Sequence, residues 1–358
     1  MRFFVLSLLI PALLHAGPVG FASLAGGTSG GGDAKVQVVR TAAELRDALE
    51  RTDVAKGDRD RTPRVIRLAG DIDLTGLANG TPGKELGRTG VIRPRSHTTL
   101  EGPAGGAVLK GGTIELKRAE NVIVRNLRFR SLWEHDPSGE YDELGWDYVR
   151  VSSSRRVWID RCDFGRVYDG HLDIIHGSDL VTVSRCIFSG ENGAAQKKCM
   201  LIGNSPSEKA RATDEGHLNV TIHGCWFRDI GGRAPRLRHG NVHFLNNLVE
   251  NAGSGTVSVC GGATLVEGCV YRNCKLPTAF SYADDTVEKG RGGSIRVLDS
   301  LDLGKHSGDR FRDHPPAFAF NAPSGFVWGS DRSKLPYLYE AVPAAEVEAL
   351  IKREAGPR

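Results

Sequence analysis

The chain has 358 residues, including 45 glycines and 16 prolines; 25% of its residues are charged and its formal net charge is +4. This composition is typical of a globular protein with many turns and excludes a disordered chain. The small excess of positive charge is compatible with an acidic partner but does not by itself indicate one.

The N-terminal segment, residues 1–16, has the pattern of a secretory signal peptide. Arg2 precedes a mostly apolar run from Phe3 to Leu14, and the segment ends at Ala16. A charged start, a short apolar core and a small residue at the exit are typical of such signals, although a buried N-terminal helix is the alternative. The run is shorter than the about 20 apolar residues that span a bilayer. We therefore predict a soluble, secreted protein, extracellular or periplasmic, with no membrane partner.

Two features follow in the N-terminal region of the mature chain. The glycine-rich run at residues 26–32 lacks the Lys-Ser/Thr ending of a phosphate-binding loop, which argues against nucleotide binding. Thr41 and Glu44 have the spacing of a capping box, which predicts a helix that ends at about Leu49.

The central part of the chain contains a repeated strand pattern. Six segments alternate β-branched and other residues, and each ends in an apolar residue, as is typical of strands. These closing residues are Phe129, Phe164, Phe188, Phe227, Val249 and Tyr271. The last three are 22 residues apart, and the earlier gaps are 35, 24 and 39 residues. A period near 22 without helical patterns between the strands predicts a solenoid of parallel strands.

The position two residues before each closing residue predicts an internal ladder of mostly small side chains. In order it is occupied by Leu127, Cys162, Cys186, Cys225, Asn247 and Cys269. Equivalent positions of a stacked solenoid lie about 4.8 Å apart. We expect buried free thiols that pack as small apolar groups, with disulfides across the ladder as the alternative.

The two longest gaps contain insertions. They fall around residues 131–145, and around residues 190–196 and 204–216. Such loops collect on one face of a solenoid, which is often the binding face.

Three aspartates form a candidate metal site. Asp147 and Asp169 are 22 residues apart, so a 22-residue coil would stack one above the other. Asp173 lies four residues after Asp169, on the same face of a strand. Three carboxylates within reach of one point are suited to a hard cation, and Ca²⁺ tolerates an irregular shell better than Mg²⁺ does. Unrelated surface aspartates are the alternative.

A basic cluster lies further along the chain. Arg233, Arg236 and Arg238 fall within six positions of one another, and Pro235 among them restricts the backbone. Arginines crowded together repel one another unless an anion lies between them, so the cluster indicates a binding site for an anion. Lys198, at the entrance to another strand, carries no signal alone. A solvated stripe of surface charge is the alternative.

The C-terminal region contains a second helix, predicted from Ala344 to Lys352. An open solenoid needs its apolar ends covered, so we expect both predicted helices to act as caps. Residues 17–358 are then one domain, and nothing in the sequence indicates an oligomer or a nucleic acid partner, so we expect a monomer.

The motifs resemble those of the pectate lyases, a family of polysaccharide lyases. The resemblance covers nearly all of the mature chain and rests on the following segments in order: residues 20–31, 157–160 (Val-Trp-Ile-Asp), 169–174 (Asp-Gly-His-Leu-Asp-Ile), 181–184, 198–203 and 233–238 (Arg-Ala-Pro-Arg-Leu-Arg). It implies an all-β, single-domain fold, a right-handed parallel β-helix with short capping helices.

The resemblance also implies an activity and a set of roles. The family cleaves polygalacturonate by β-elimination to 4,5-unsaturated oligogalacturonides, with Ca²⁺ between enzyme and uronate carboxylates. The matching positions are Asp147, Asp169 and Asp173 for calcium, Arg233 for the Brønsted base, and Lys198 and Arg238 for the substrate carboxylate. Arg236 lies between the two arginines and is included as a substrate residue.

The sequence departs from the family pattern at three single positions, and its internal ladder is mostly cysteine where the family has asparagine, with Asn247 remaining. Arg161 and Gln196 stand where the family usually has histidine, and Gly145 stands where it often has a further aspartate. Three other functions stay open: a lyase of methyl-esterified pectin, a polygalacturonase with paired acid and base carboxylates, and a non-catalytic β-helix that binds polysaccharide.

Overall fold

The computed structural model describes residues 17–49, 60–191, 194–280, 292–304, 318–321 and 334–358. The predicted signal peptide, residues 1–16, lies outside this part of the chain. None of the helices formed by these residues has the length and apolar character needed to cross a bilayer.

Short strands dominate the structure. In chain order they are β1 Val36–Val39, β2 Arg64–Leu68, β3 Ile72–Asp73, β4 Gly90–Ile92, β5 Thr98–Glu101, β6 Ala107–Lys110, β7 Gly112–Lys117, β8 Glu120–Arg125, β9 Leu127–Arg130, β10 Val149–Ser152, β11 Arg155–Asp160, β12 Asp163–Phe164, β13 Leu172–Ile175, β14 Asp179–Ser184, β15 Ile187–Ser189, β16 Met200–Ile202, β17 Asn219–His223, β18 Trp226–Ile230, β19 Arg236–Arg238, β20 Asn241–Leu245, β21 Leu248–Val259, β22 Ala263–Glu267, β23 Val270–Ala279, β24 Ser294–Leu298 and β25 Leu301–Asp302. The helices are α1 Ala42–Leu49, α2 Glu208–Asp214 and α3 Ala344–Glu354.

The strands stack in parallel on three faces. The first face is a ten-stranded sheet in the order β1-β2-β5-β8-β11-β14-β17-β20-β22-β24. The second face runs from β3 through β6, β9, β12, β15 and β18 to β21, and the third runs from β4 through β7, β10, β13, β16 and β19 to β21. The long strand β21 joins these two faces, because Leu248–Ala252 pairs with β18 and Val257–Val259 pairs with β19. The predicted fold class, a right-handed parallel β-helix, is confirmed.

Four of the six predicted closing residues form a buried aromatic stack inside the coil. The rings of Phe129, Phe164, Phe188 and Phe227 follow one another at centroid distances of 4.8, 4.8 and 4.9 Å. These distances match the spacing of neighbouring strands, so each coil places one ring above the last.

The predicted cysteine ladder is present beside the aromatic stack. The backbone N–H groups of Cys162 and Cys186 each donate to the Sγ of the next cysteine in the ladder at 3.4 Å. Asn247 takes the same place on the following coil, where its Oδ1 accepts from the N–H of Cys225 at 2.8 Å. All seven cysteines are buried and none of them forms a disulfide. The thiols thus replace amide side chains as weak acceptors inside the coil.

The two predicted helices cover different surfaces. At α1 the capping box forms as expected: the N–H of Glu44 donates to Thr41 Oγ1 at 3.1 Å. Leu45 of this helix is buried in the main core at the N-terminal end. By contrast, α3 packs against the outward side chains of Leu248 and Val270 on the second face. It therefore covers a side of the coil, because that face carries apolar residues on its outside.

Residues 19–31, the N-terminal strap, cross the outside of the first face. Backbone N–H groups of the strap donate to threonine hydroxyls on three strands of this face, at Thr221, Thr182 and Thr99. The approach is close, since a Cβ on Gly31 would lie 2.0 Å from the carbonyl oxygen of Arg64. The glycine-rich run therefore lets the backbone lie directly on the sheet.

Candidate active site

The predicted site residues gather on the third face and in the turns that lead into its strands. Asp147 precedes β10, Asp169 precedes β13, Lys198 precedes β16 and Arg233 precedes β19, whereas Asp173, Arg236 and Arg238 lie within strands. Four consecutive coils thus contribute to one surface.

The strand register differs from the predicted stacking of the aspartates. Val149 pairs with Leu172, an offset of 23 residues, so Asp173 lies beside Arg150. The expectation that Asp147 stacks directly on Asp169 is therefore wrong by one residue, because this coil is one residue longer than the period of 22. Asp169 lies in the turn before β13 and not on the strand face with Asp173.

Asp147 is buried and held by two donors. Its Oδ1 accepts from the N–H of Gly170 at 2.9 Å and its Oδ2 accepts from Arg150 Nη2 at 2.6 Å. Burial raises the pKa of the Asp147 carboxyl from 3.8 to about 6, against the opposing effect of Arg150, and the charge of Asp169 adds to the rise.

Asp169 is tied to Lys198, the predicted substrate residue. Lys198 Nζ lies 3.1 Å from Asp169 Oδ1 and donates to the carbonyl oxygen of Tyr141 at 2.8 Å. Gln196, which is buried, donates through Nε2 to the carbonyl oxygens of both Asp169 and Lys198, at 2.7 and 2.9 Å. The insertion at residues 131–145 thus reaches the site, and Gln196 fixes two site residues relative to each other.

Asp173 and Arg233 act on each other electrostatically. Burial and the neighbouring charges of Asp147 and Asp169 raise the pKa of the Asp173 carboxyl well above its ordinary value, and Arg233 opposes that rise. Burial lowers the pKa of the Arg233 guanidinium, and the charge of Arg236 lowers it further, while Asp169 and Asp173 oppose the change. The charges of Asp169, Asp173 and Arg233 are therefore close enough to influence one another.

The other two arginines have different surroundings. Arg236 lies on the outward side of β19 and pairs in register with Leu201. Arg238 is 8% exposed, and its Nη1 donates to the carbonyl oxygens of Gly203 at 3.0 Å and Asn204 at 3.4 Å. Arg238 therefore fixes the turn after β16 as well as adding positive charge.

The three aspartates have the chemistry, but not the closed geometry, of a metal site. Asp147 Oδ1 and Asp173 Oδ1 lie 2.8 and 3.3 Å from the point where a Cβ on Gly170 would be, so both carboxylates flank one glycine. Within the described ranges, however, no three His, Cys, Asp or Glu side chains are close enough together to hold an ion. Arg150 and Lys198 instead pair with two of the three carboxylates.

Sequence reasoning missed a row of outward, mostly charged side chains on the third face. Strand register places Glu115, Arg150, Asp173, Leu201 and Arg236 side by side on successive coils. Arg93 precedes this row, since its Nε donates to Glu115 Oε2 at 2.6 Å. Only the register of the strands brings these residues into line, because the chain separates them by unequal distances.

The three departures from the family pattern have different positions. Arg161 donates to the carbonyl oxygen of Glu354, behind the second face and away from the site. Gln196 braces the site as described above. The carbonyl oxygen of Gly145 accepts from Arg150 Nη2 at 2.7 Å, so the arginine lies beside the position where the family often has an acid.

Comparisons with known proteins agree with this architecture. The pectate lyase family model matches residues 4–294. Pectate lyase B of Paenibacillus amylolyticus is 28% identical over 75% of this chain and 90% of its own length. The pectate trisaccharide-lyase of Thermotoga maritima is 35% identical over 68% of this chain, and the match spans 60% of that relative.

Solved structures show the same coil. The pectate lyase from a Paenibacillus species superposes with a TM-score of 0.74 at 25% identity, covering 93% of both chains. A Bacillus pectate lyase in complex with trigalacturonate gives a TM-score of 0.68 at 20% identity, covering 95% of this chain and 99% of that one.

The coil and its charged third face place the protein among the parallel β-helix enzymes that act on polysaccharides. The match over residues 4–294 is more specific: the chain belongs to the pectate lyase family and is a polysaccharide lyase.

Proposed function

We propose that the protein is a secreted, calcium-dependent pectate lyase that cleaves polygalacturonate by β-elimination to 4,5-unsaturated oligogalacturonides. The observation that carries the proposal is the placement of Asp147, Asp169, Asp173 and Arg233 on the third face and in the turns that lead into its consecutive strands. Fixed opposite charges at one place are suited to a substrate with one carboxylate per sugar.

Arg233 is the proposed base. It would take the C5 proton of the uronate, the C4–O bond to the leaving sugar would break, and a C4=C5 double bond would form, with solvent protonating the leaving oxygen. An arginine must lose its proton to do this, and its ordinary pKa is far too high. Burial and the charge of Arg236 lower the pKa of Arg233, which supports the assignment.

Lys198, Arg236 and Arg238 are the proposed partners of the substrate carboxylate. They surround the base with fixed positive charge, which stabilises the negative charge that develops as the C5 proton leaves. Lys198 must exchange its contact with Asp169 for the substrate. Arg238 is already bonded to two backbone carbonyls, so its contribution is mainly its charge.

Asp147, Asp169 and Asp173 are the proposed calcium ligands. Calcium, when bound, would neutralise the uronate carboxylate and so make the C5 proton more acidic. For the aspartates to hold it, Arg150 and Lys198 must release Asp147 and Asp169. The same pairing favours a second candidate, a calcium-independent lyase of methyl-esterified pectin, because the acids already have cationic partners.

One assay separates the functions. The protein is incubated with polygalacturonate and calcium, and ultraviolet absorbance of an unsaturated product is recorded beside reducing ends. We expect absorbance that excess chelator abolishes and added calcium restores. Activity on methyl-esterified pectin that survives chelation would support the second candidate instead. Reducing ends without absorbance would indicate a polygalacturonase, and neither signal would indicate a non-catalytic binder.

The remaining parts of the proposal concern location and assembly. We propose an extracellular or periplasmic location, on the grounds of the signal-like residues 1–16 and a polymeric substrate, and a monomer without nucleic acid or membrane partners. Fractionation of the native host and light scattering of the purified chain test both statements.

A further inference from the structure

The segment at residues 157–160, one of those that resemble the family, lies away from the candidate active site. It belongs to β11 on the first face, and Arg161 follows it in the turn that leads to β12 on the second face. The corner between these two faces is opposite the third face, where the three aspartates and Arg233 lie. The proposed reaction therefore gives these residues no role.

An open pocket of about 600 Å³ lies at this corner. Its lining includes Trp158 and five arginines, namely Arg67, Arg125, Arg161, Arg185 and Arg358. Among the described residues that line it, the acids are Glu101 and Asp160, so the side chains carry an excess of three positive charges. We call the site formed by these five arginines and two acids the corner pocket.

The two acids hold three of the arginines in the same way. Glu101 accepts from Arg67 Nε at 2.7 Å and from Arg125 Nε and Nη2 at 2.9 and 2.6 Å, and Arg67 Nη2 also lies 2.5 Å from it. Asp160 accepts from Arg185 Nε and Nη2 at 2.8 and 2.7 Å. Each guanidinium is thus fixed through Nε and Nη2, and its Nη1 has no acceptor within the described part of the chain.

Arg161 adds charge that the acids do not balance. Its Nη1 donates to the carbonyl oxygen of Glu354 at 2.7 Å, and the Glu354 carboxylate lies 3.6 Å from Nη2 but only 3.1 Å from Arg358. Burial lowers the pKa of the Arg161 guanidinium, and the charges of Arg185 and Arg358 lower it further, against Asp160 and Glu354. Positive charge is therefore in excess even when Glu354 is counted with the acids.

The turn itself does not explain why two of these residues are arginines. Arg161 and Arg185 have φ angles of 50° and 51°, in the left-handed region. Asparagine and glycine adopt this conformation more readily than arginine does. They occupy the equivalent position, three residues before the closing residue and also with positive φ, on four other coils, as Asn126, Gly224, Asn246 and Gly268. At Arg161 and Arg185 the charged side chain is the feature that sets these coils apart.

We propose that the corner pocket binds an oxyanion, either the carboxylate of a uronic acid or a phosphate group, at a site separate from the three aspartates. The guanidinium fork matches the oxygens of both groups, and charge-assisted hydrogen bonds to them are the strong ones. An anion among the arginines would also relieve their mutual repulsion. The proposal does not rest on the lyase activity, because the corner pocket shares no residue with the proposed catalytic site.

A charge-neutralising double variant tests the proposal. Binding of inorganic phosphate and of trigalacturonate is measured separately by isothermal titration, in calcium-free buffer at constant ionic strength. In Arg67→Gln, Arg161→Gln, two charges are lost while Glu101 keeps Arg125 as its partner. We expect the affinity for at least one probe to fall by about tenfold, since each partly exposed charge pair contributes up to about 1 kcal/mol.

The matched control is the double variant Arg46→Gln, Arg211→Gln on α1 and α2, where the arginine side chains are 41% and 48% exposed. It removes the same charge and should bind both probes as wild type does. A fall for phosphate alone would identify a phosphate group as the ligand, and a fall for trigalacturonate would identify a uronate carboxylate; either supports the oxyanion site. Equal affinity in all three proteins, or an equal fall in both double variants, overturns it.

A single variant keeps the test decisive if the double variant does not fold. Among the described residues, Arg161 makes its hydrogen bond only to the backbone carbonyl of Glu354, so Arg161→Gln should fold normally. Its affinity for the same probe should fall by about threefold. The probe at tenfold excess over its Kd should also stabilise wild type by about 1.4 kcal/mol and the variant by less. Unchanged affinity together with equal stabilisation would overturn the site.

Discussion

Replacing Asp147 by asparagine should stabilise the metal-free protein and abolish its response to calcium. Asp147 is 1% exposed, and burial raises its pKa from 3.8 to about 6. The folded state therefore favours the protonated carboxyl. The stability that the protonated Asp147 carboxyl gives the folded state is fully present below pH 3.8 and is lost as the pH rises through about 6.

The size of the expected change in the free energy of unfolding follows from the same two pKa values of Asp147. At 1.36 kcal/mol for each pKa unit, the rise to about 6 corresponds to about 3 kcal/mol. The free energy of unfolding of the wild-type protein should fall by about this amount between about pH 4 and about pH 7 because of Asp147. Asparagine has the shape of the neutral acid, so Asp147→Asn should avoid the loss.

The assay is denaturant unfolding in excess chelator, near about pH 4 and about pH 8. The variant should equal wild type at the lower pH and exceed it by about 3 kcal/mol at the higher pH. Asp47→Asn on α1, where the aspartate side chain is 68% exposed, is the control and should show no such difference. A variant less stable than wild type near pH 8 would refute the reasoning, because the attraction between Arg150 and the charged Asp147 would then outweigh the cost of burying that charge.

Calcium should remove the difference in stability between the two proteins near pH 8. A ligand at a hundredfold excess over its Kd stabilises the folded state by about 3 kcal/mol. Wild type should gain this stability and the variant should not. An equal gain in both proteins would remove Asp147 from the calcium site.

Three further outcomes are expected. Arg233→Lys should lower kcat by about 10²- to 10⁴-fold, as loss of a positioned base does, with an unchanged Tm; turnover near the wild-type value would exclude Arg233 as the base. Gly170→Ala should weaken calcium binding by isothermal titration, because its Cβ would lie 2.8 Å from Asp147 Oδ1, and unaltered affinity would place the ion elsewhere. Gly31→Ala should lower the free energy of unfolding by about 1–3 kcal/mol, since its Cβ would lie 2.0 Å from the carbonyl oxygen of Arg64; an unchanged denaturation midpoint would mean that the N-terminal strap contributes nothing to stability.

The sequence alone determined the repeating unit and its interior. Spacing of apolar residues predicted which side chains stack inside, and the rings of Phe129, Phe164 and Phe188 do so with 4.8 Å between the centroids of consecutive rings. It also predicted the cysteine ladder and the capping box at α1. These features are local to one coil or repeat with a fixed period, so the order of residues along the chain is sufficient to identify them.

Tertiary structure alone decided the arrangement across coils. Coils of unequal length change the strand register. Because the coil from β10 to β13 is one residue longer than the period of 22, Asp173 lies beside Arg150, and Asp147 does not lie directly above Asp169. The row from Arg93 to Arg236 and the pairing of Lys198 with Asp169 depend on that register. Because contacts between coils join residues whose separation in the chain varies, no period in the sequence predicts them, and the charges of the site become neighbours only when the coil is wound.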